Sequence, residues 1–205
     1  AGLTATQVKS MSTANIKALT SDQISRIGTA QVALLSAEQA QAIETVDLAA
    51  MTTAQIRALS ARNIAALEAS SQIANLTSQQ VAALTTAQVK SLTDEQVTKM
   101  SSDQISAMST AQVQVLSSSQ LSAMDNADLA AMTLDQVKKI NVSSLSKMTD
   151  TKLAAFTSDQ LASLTTNQVK VLNTDQLKAL SGTQLSAMGT SSIAVLTNTQ
   201  LNAID

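Results

Sequence analysis

The sequence predicts an all-α solenoid, a superhelix of about 25 short two-turn helices, with one helix for each eight-residue repeat. Three observations predict this class: a repeat of eight residues along the chain, a helix-capping pattern at the start of each repeat, and a charge pattern that restarts with it. We call each repeat an octad and number its positions 1 to 8. We expect residues 1–205 to form a single solenoid domain within a longer polypeptide.

The octads begin at Thr4 and number 25, with the consensus Ser/Thr-x-x-Gln-Val/Ile/Leu-x-x-Leu/Met/Ile. Position 1 is Ser or Thr in 18 octads, and position 4 is Gln in 18. Position 5 is Val, Ile or Leu except at Ala40, and position 8 is Leu, Met or Ile except at Phe156. The frame slips by one residue at 68–69 and then continues for sixteen octads. A disordered spacer has no reason to keep two aliphatic positions so regular.

Each octad must be a separate element. In a continuous helix, eight residues at about 100° each advance the chain by about 800°, so the aliphatic pair would rotate around the axis and form no seam. In a strand, positions 5 and 8 would face opposite sides of the pleat. The remaining possibility is that each octad forms a separate helix of about two turns, which ends at the octad boundary.

The octad boundaries carry helix-start signals. Ser or Thr at position 1 with Gln at position 4 is the capping box, in which each side chain bonds to the backbone N–H of the other residue. Acidic residues within the octads lie at positions 1 to 4 or at the slip, and eleven of the thirteen basic residues lie at positions 6 and 7. This distribution is the preference of a helix macrodipole, renewed every eight residues.

Helices this short need neighbours, since isolated helices below about 12 residues are marginal. Position 7 is Ala in 13 octads, which allows backbones to approach, and stacked octads bury positions 5 and 8 in one core. Three or four octads per superhelical turn fit this scheme. The sequence fixes neither that number nor the handedness.

Position 4 is notable because Glu, which serves a capping box as well as Gln, never occurs there. One interpretation is that the glutamines are partly buried and stacked between turns, where an amide can donate as well as accept and a column of carboxylates would repel. The other is drift within a repeat of low charge. The first interpretation predicts that Glu at position 104 or 112 destabilises the protein.

The composition argues against an enzyme. His and Cys are absent, which removes the usual catalytic triads and zinc sites, and the net charge of −2 gives no footprint for nucleic acid. No apolar run is long enough to insert into a membrane. We expect no cofactor and no metal, and a monomer.

Four departures from Gln at position 4 form the candidate ligand face. Asp47 and Asp128 stand 81 residues apart, and Asn63 and Ser144 are separated by the same distance, which indicates a higher-order duplication. Clustering of these four side chains on one face of the solenoid would favour a binding function.

Octads such as TTAQVKSL, TSQQVAAL and TSDQLASL resemble the LTxxQVxAL octapeptide-repeat regions of large bacterial secreted or surface proteins, which are described as adhesin-like or as haem utilisation or adhesion proteins. The resemblance covers essentially the whole chain. It implies an extracellular or cell-surface segment of a bacterial polypeptide. The octad also resembles the first helix of TAL-effector repeats, but their second helix, longer period and basic charge are missing, so DNA binding is not implied.

From these observations we expect a non-enzymatic structural module that acts as a stalk, spacer or scaffold and adjoins neighbouring domains of the same polypeptide. The alternative is a binding module that uses a solenoid face for a protein, glycan or ion ligand. An elongated particle would favour the structural module.

Overall fold

The computed structural model describes residues 3–204, and this part of the chain is helical, with no strand. Backbone proximity divides the chain between Met108 and Ser109 into two compact units, called the first and the second unit below. The octad pattern continues through both units. The expected single domain therefore stays a prediction.

Each of the 25 octads contributes one short helix. In the first unit the helices are α1 (Ala5–Ser10), α2 (Thr13–Lys17), α3 (Ser21–Ser25), α4 (Thr29–Val32), α5 (Ala37–Gln41), α6 (Thr45–Ala50), α7 (Thr53–Ala58), α8 (Ala61–Ala66), the π-helix π1 (Ala69–Ile73), α9 (Ser78–Ala83), α10 (Thr86–Ser91), α11 (Asp94–Thr98) and α12 (Ser102–Ser106). In the second unit they are α13 (Thr110–Gln114), α14 (Ser118–Ala123), α15 (Asn126–Ala131), α16 (Leu134–Val137), α17 (Val142–Ser146), α18 (Asp150–Leu153), α19 (Ser158–Ala162), α20 (Thr166–Lys170), α21 (Thr174–Lys178), α22 (Gly182–Ala187), α23 (Gly189–Ile193) and α24 (Asn198–Leu201). The predicted all-helical repeat architecture is confirmed.

The expected capping box starts sixteen of the 25 described helices, and α10 shows it clearly. The Thr85 hydroxyl accepts from the Gln88 backbone N–H at 3.2 Å, and the Thr85 N–H donates to Gln88 Oε1 at 2.7 Å. The helix ends at Leu92, whose backbone is extended (φ −58°, ψ 131°), so that the next octad can start in a new direction. Each octad thus carries its own start and stop.

The aliphatic positions form the core of each unit. Octads three places apart lie side by side, such as α5 with α8 in the first unit and α19 with α22 in the second. Side chains at positions 5 and 8 are buried between them, as at Val81, which is 0% exposed, and Leu84, which is 5% exposed. Stability therefore accumulates from one neighbouring octad to the next.

The π-helix π1 absorbs the frame slip. Its octad has nine residues, and the backbone N–H groups of both Gln72 and Ile73 bond to the Glu68 carbonyl, each at 2.9 Å. The Glu68 N–H donates to Gln72 Oε1 at 2.8 Å, so the cap closes across four residues in place of three. The wider turn keeps Gln72, Ile73 and Leu76 buried like their counterparts in regular octads.

Deletion of the exposed Ser70 should convert the nine-residue octad into a regular one. Because a standard α-helical turn then replaces the π-turn, we expect the free energy of unfolding to change by less than about 1 kcal/mol. Deletion of Ser102, a matched Ser near the start of a regular octad, should shift its core positions out of register and cost several times more. Urea denaturation of the two variants tests this, and equal losses would contradict it.

Candidate functional site

The most regular polar feature is the position-4 glutamine, and Gln104 illustrates its two roles. It is 2% exposed. Its Oε1 accepts from the Ser101 backbone N–H at 2.8 Å, which completes the cap of its own helix. Its Nε2 donates to the carbonyl oxygens of Ile73 at 3.0 Å and Leu76 at 2.7 Å, in an earlier turn of the solenoid. One amide therefore caps a helix and joins two turns.

The same arrangement recurs in both units. Nε2 lies 2.7–3.0 Å from the position-8 carbonyl oxygen of the octad four places earlier for Gln39, Gln55, Gln72, Gln80, Gln88, Gln96, Gln104, Gln160, Gln168, Gln176, Gln184 and Gln200. We call these residues the glutamine layer. Backbones meet three octads apart and these side chains reach four octads back, so a turn within each unit holds between three and four octads.

The hydrogen bonds of the glutamine layer join octads that are four places apart, even where the sequence separation between donor and acceptor changes. Gln55 reaches the carbonyl oxygen 28 residues earlier, at Ile27. Gln88, whose bond crosses the slip, reaches 29 residues back, to Leu59. Because π1 takes up the extra residue, the layer continues past the slip without a missing bond. Of the two interpretations of position 4, burial between turns is the one that the structure supports.

Other donors at position 4 take over part of the role of Gln. Asn63 donates from Nδ2 to the Leu35 carbonyl oxygen at 3.0 Å. The Ser144 hydroxyl donates to Leu116 at 2.9 Å. Lys152 donates from Nζ to the carbonyl oxygen of Met124. Each acceptor is the position-8 carbonyl four octads earlier, so these three side chains supply the hydrogen-bond donor that Gln supplies elsewhere.

Asp47 is the exception, because a carboxylate cannot donate to a carbonyl. It is 4% exposed, and its Oδ1 accepts from the Ser21 hydroxyl at 2.5 Å. Asp128 is 5% exposed, at the equivalent place in the second unit. At Asp47 the side chain thus accepts a hydrogen bond at the position where the glutamine layer donates one.

The four residues of the candidate ligand face thus lie in the buried layer. Asp47 and Asn63 belong to α6 and α8 of the first unit, whereas Asp128 and Ser144 belong to α15 and α17 of the second. Only Ser144 is half-exposed. Their placement offers a ligand little open surface, and the ligand-face hypothesis stays a prediction.

A cleft of about 530 Å³ lies beside the slip in the first unit. Its walls include Lys17, Gln41, Glu44, Val46 and Glu68. Gln41 donates from Nε2 to a carboxylate oxygen of Glu68, and Val46 is 65% exposed at the rim. The cleft is thus a concave place with both charges and an exposed apolar side chain.

Sequence reasoning missed this cleft, although two signals pointed to it. Glu44 and Glu68 are the octad starts at which position 1 is Glu, and their side chains make no cap bond. The second signal is the slip itself. Which residues face each other across successive turns depends on the turn size, and the sequence does not fix that size.

The remaining electrostatic features agree with short capped helices. The backbone N–H of Glu38 hydrogen-bonds to its own carboxylate and lowers its pKa, and the Ser36 hydroxyl adds to this effect. Within residues 3–204, no group of three or more Asp, Glu, His or Cys side chains is placed to hold a metal ion. The described helices are all too short to cross a membrane.

Short capped helices, a repeated aliphatic core and a glutamine layer between turns define a helical repeat protein. The ALTTAQ repeat family model matches residues 40–78, 73–110 and 147–181. These segments cover just over half of the chain, and the chain belongs to this family. A search of curated proteins found no match.

Proposed function

We propose that the protein is a non-enzymatic structural module, a stalk, spacer or scaffold that holds neighbouring domains of the same polypeptide apart. The observation that carries this proposal is the glutamine layer. In most octads the side chains at positions 4, 5 and 8 are used to hold one turn on the next. What remains outside is an exposed surface dominated by small polar and charged side chains at positions 2, 3 and 6.

The proposed setting is a bacterial surface or secreted adhesin-like protein. The resemblance of the octads to LTxxQVxAL repeats supports this setting, and the ALTTAQ repeat match supports the repeat class. A module of this kind suits a spacer because octads can be added without a new core, since each contacts only near neighbours.

A binding module is the second candidate, and the cleft beside the slip favours it. Lys17 and Glu68 offer both charges, and the exposed Val46 offers an apolar contact. A protein segment or a glycan with polar groups around an apolar patch fits such a lining.

Small-angle X-ray scattering at several dilutions separates the two candidates. A compact globule of this length has a radius of gyration of about 17 Å and an unfolded chain about 49 Å. The spacer proposal predicts a folded, rod-like profile with a value clearly above the compact one. A random-coil profile would contradict the folded repeat itself.

A second chain, with residues 77–108 duplicated in tandem, sharpens the test. Length grows in proportion to residue number in a rod, so the radius of gyration should rise by about 16%, against about 6% for a compact body. A rise near the lower value would contradict the spacer proposal and favour the binding module.

A further inference from the structure

Asp47 carries a buried negative charge that no side chain of the described residues balances. Its carboxylate is 4% exposed, and within residues 3–204 no lysine or arginine forms an ion pair with it. Its Oδ1 accepts from the Ser21 hydroxyl, which is a neutral donor. Because burial removes the hydration of an ionised carboxylate, buried charges are as a rule paired with a countercharge or bound to a metal ion. Asp47 therefore requires a positive charge that this part of the chain does not supply.

The group opposite Asp47 is an oxygen atom as well. The glutamine layer pairs position 4 with the position-8 carbonyl four octads earlier, which for Asp47 is the carbonyl of Leu19. Asn63 shows that a side chain as short as Asp reaches this place, since its Nδ2 lies 3.0 Å from the Leu35 carbonyl oxygen. Within the described residues, the Leu19 carbonyl accepts from no side chain. A carboxylate and a carbonyl thus face each other with no donor between them.

The second unit shows that a positive charge fits at this place in the layer. Lys152 occupies position 4 in α18, and its Nζ donates to the Met124 carbonyl, which is the position-8 carbonyl four octads earlier. There the side chain itself brings the cation. At Asp47 the side chain brings the carboxylate, so the cation has to come from solvent. Solvent is close, because the neighbouring Val46 is 65% exposed and lines the cleft beside the slip.

We propose that Asp47 binds a monovalent metal cation of the size of Na⁺. The Asp47 carboxylate, the Leu19 carbonyl and the Ser21 hydroxyl offer hard oxygen ligands, which suit such an ion. One positive charge neutralises one carboxylate, whereas a divalent ion would leave a net charge in the layer. The cation then joins two turns of the first unit, as a glutamine amide does elsewhere. The sequence had led us to expect no metal, because carbonyl ligands leave no side-chain pattern.

Urea denaturation with NaCl replacing choline chloride tests the proposal. The background is Asp128→Gln, which restores the consensus residue in the second unit and leaves Asp47 as the one aspartate at position 4. Choline is too large for the site, and constant total salt keeps the screening of surface charges the same. The folding equilibrium constant should rise about tenfold for each tenfold rise in Na⁺ above its dissociation constant.

Two variants show whether the response belongs to Asp47. Asp47→Asn removes the charge and supplies a donor for the Leu19 carbonyl, so its stability should not respond to Na⁺. Without Na⁺ it should be more stable than the background protein. The matched control Asp103→Asn makes the same change at an exposed position 3 and should respond as the background does. Sodium NMR measures binding directly, and only Asp47→Asn should fail to broaden the signal.

The proposal is wrong if the background protein is no more stable in NaCl than in choline chloride, or if Asp47→Asn responds as strongly as Asp103→Asn. A response to CaCl₂ alone would contradict a single positive charge.

Lys17 lines the adjoining cleft, and its ammonium is the competing source of positive charge. Lys17→Gln should therefore leave the Na⁺ response in place. A response that appears only after this change would identify Lys17 as the partner of Asp47 and overturn the proposal. The spacer function does not depend on these results, since scattering measures it separately.

Discussion

Replacing Gln104 by Glu should lower the free energy of unfolding by about 3 kcal/mol. The carboxylate keeps an oxygen for the Ser101 N–H, so the helix cap survives. It has no N–H for the carbonyls of Ile73 and Leu76, and it places a negative charge against them. The Ile73 carbonyl keeps its bond from the Leu76 backbone N–H, but a buried charge without a donor beside the Leu76 carbonyl costs more than the loss of one ordinary hydrogen bond. Urea denaturation followed by circular dichroism measures the loss.

The matched control is Gln114→Glu, which makes the same chemical change at an exposed position 6. It should alter stability by no more than about 0.5 kcal/mol. Gln112, which is also 2% exposed, should behave like Gln104 when changed to Glu. A Gln104→Glu loss as small as that of the control would contradict a structural role for the buried amide.

Half of this role was predictable from the sequence. The spacing of Ser101 and Gln104 predicts the capping bond, because both partners lie within one octad. The bonds to Ile73 and Leu76 span 31 and 28 residues. Such partners are set by how many octads complete a turn, which depends on helix packing angles and not on any local pattern. The sequence therefore raised the puzzle of the missing Glu without deciding it.

The candidate ligand face and the slip show the same contrast between what can be predicted within one octad and what depends on packing between turns. The departures at Asp47 and Asn63 were visible, but their burial follows from where position 4 points once the turns stack. At the slip, the sequence located the extra residue at 68–69, whereas the π-helix that absorbs it follows from keeping Ile73 and Leu76 in the core. Local chemistry predicted the helices, and packing between turns determined what the polar side chains do.

Phe156→Ala is the second change for which we expect a large effect, a loss of about 4 kcal/mol. Phe156 occupies position 8 in the second unit and is 1% exposed. Its backbone carbonyl accepts from Gln184 Nε2 at 2.8 Å, and this bond uses no atom of the side chain. The substitution therefore leaves the hydrogen bond in place and opens a cavity, so the urea midpoint should report the loss of packing alone.

Phe156→Leu provides the control, because Leu is a consensus residue at position 8. If the neighbouring octads can close around the smaller side chain, as they do at Leu164 and Leu172, the loss should stay below about 1.5 kcal/mol. A large loss in the alanine variant with a small one in the leucine variant would identify position 8 as a place that requires volume but not an aromatic ring. Equal losses in the two variants would mean that this octad is built around Phe156 itself and that stacking of consensus octads does not explain its core.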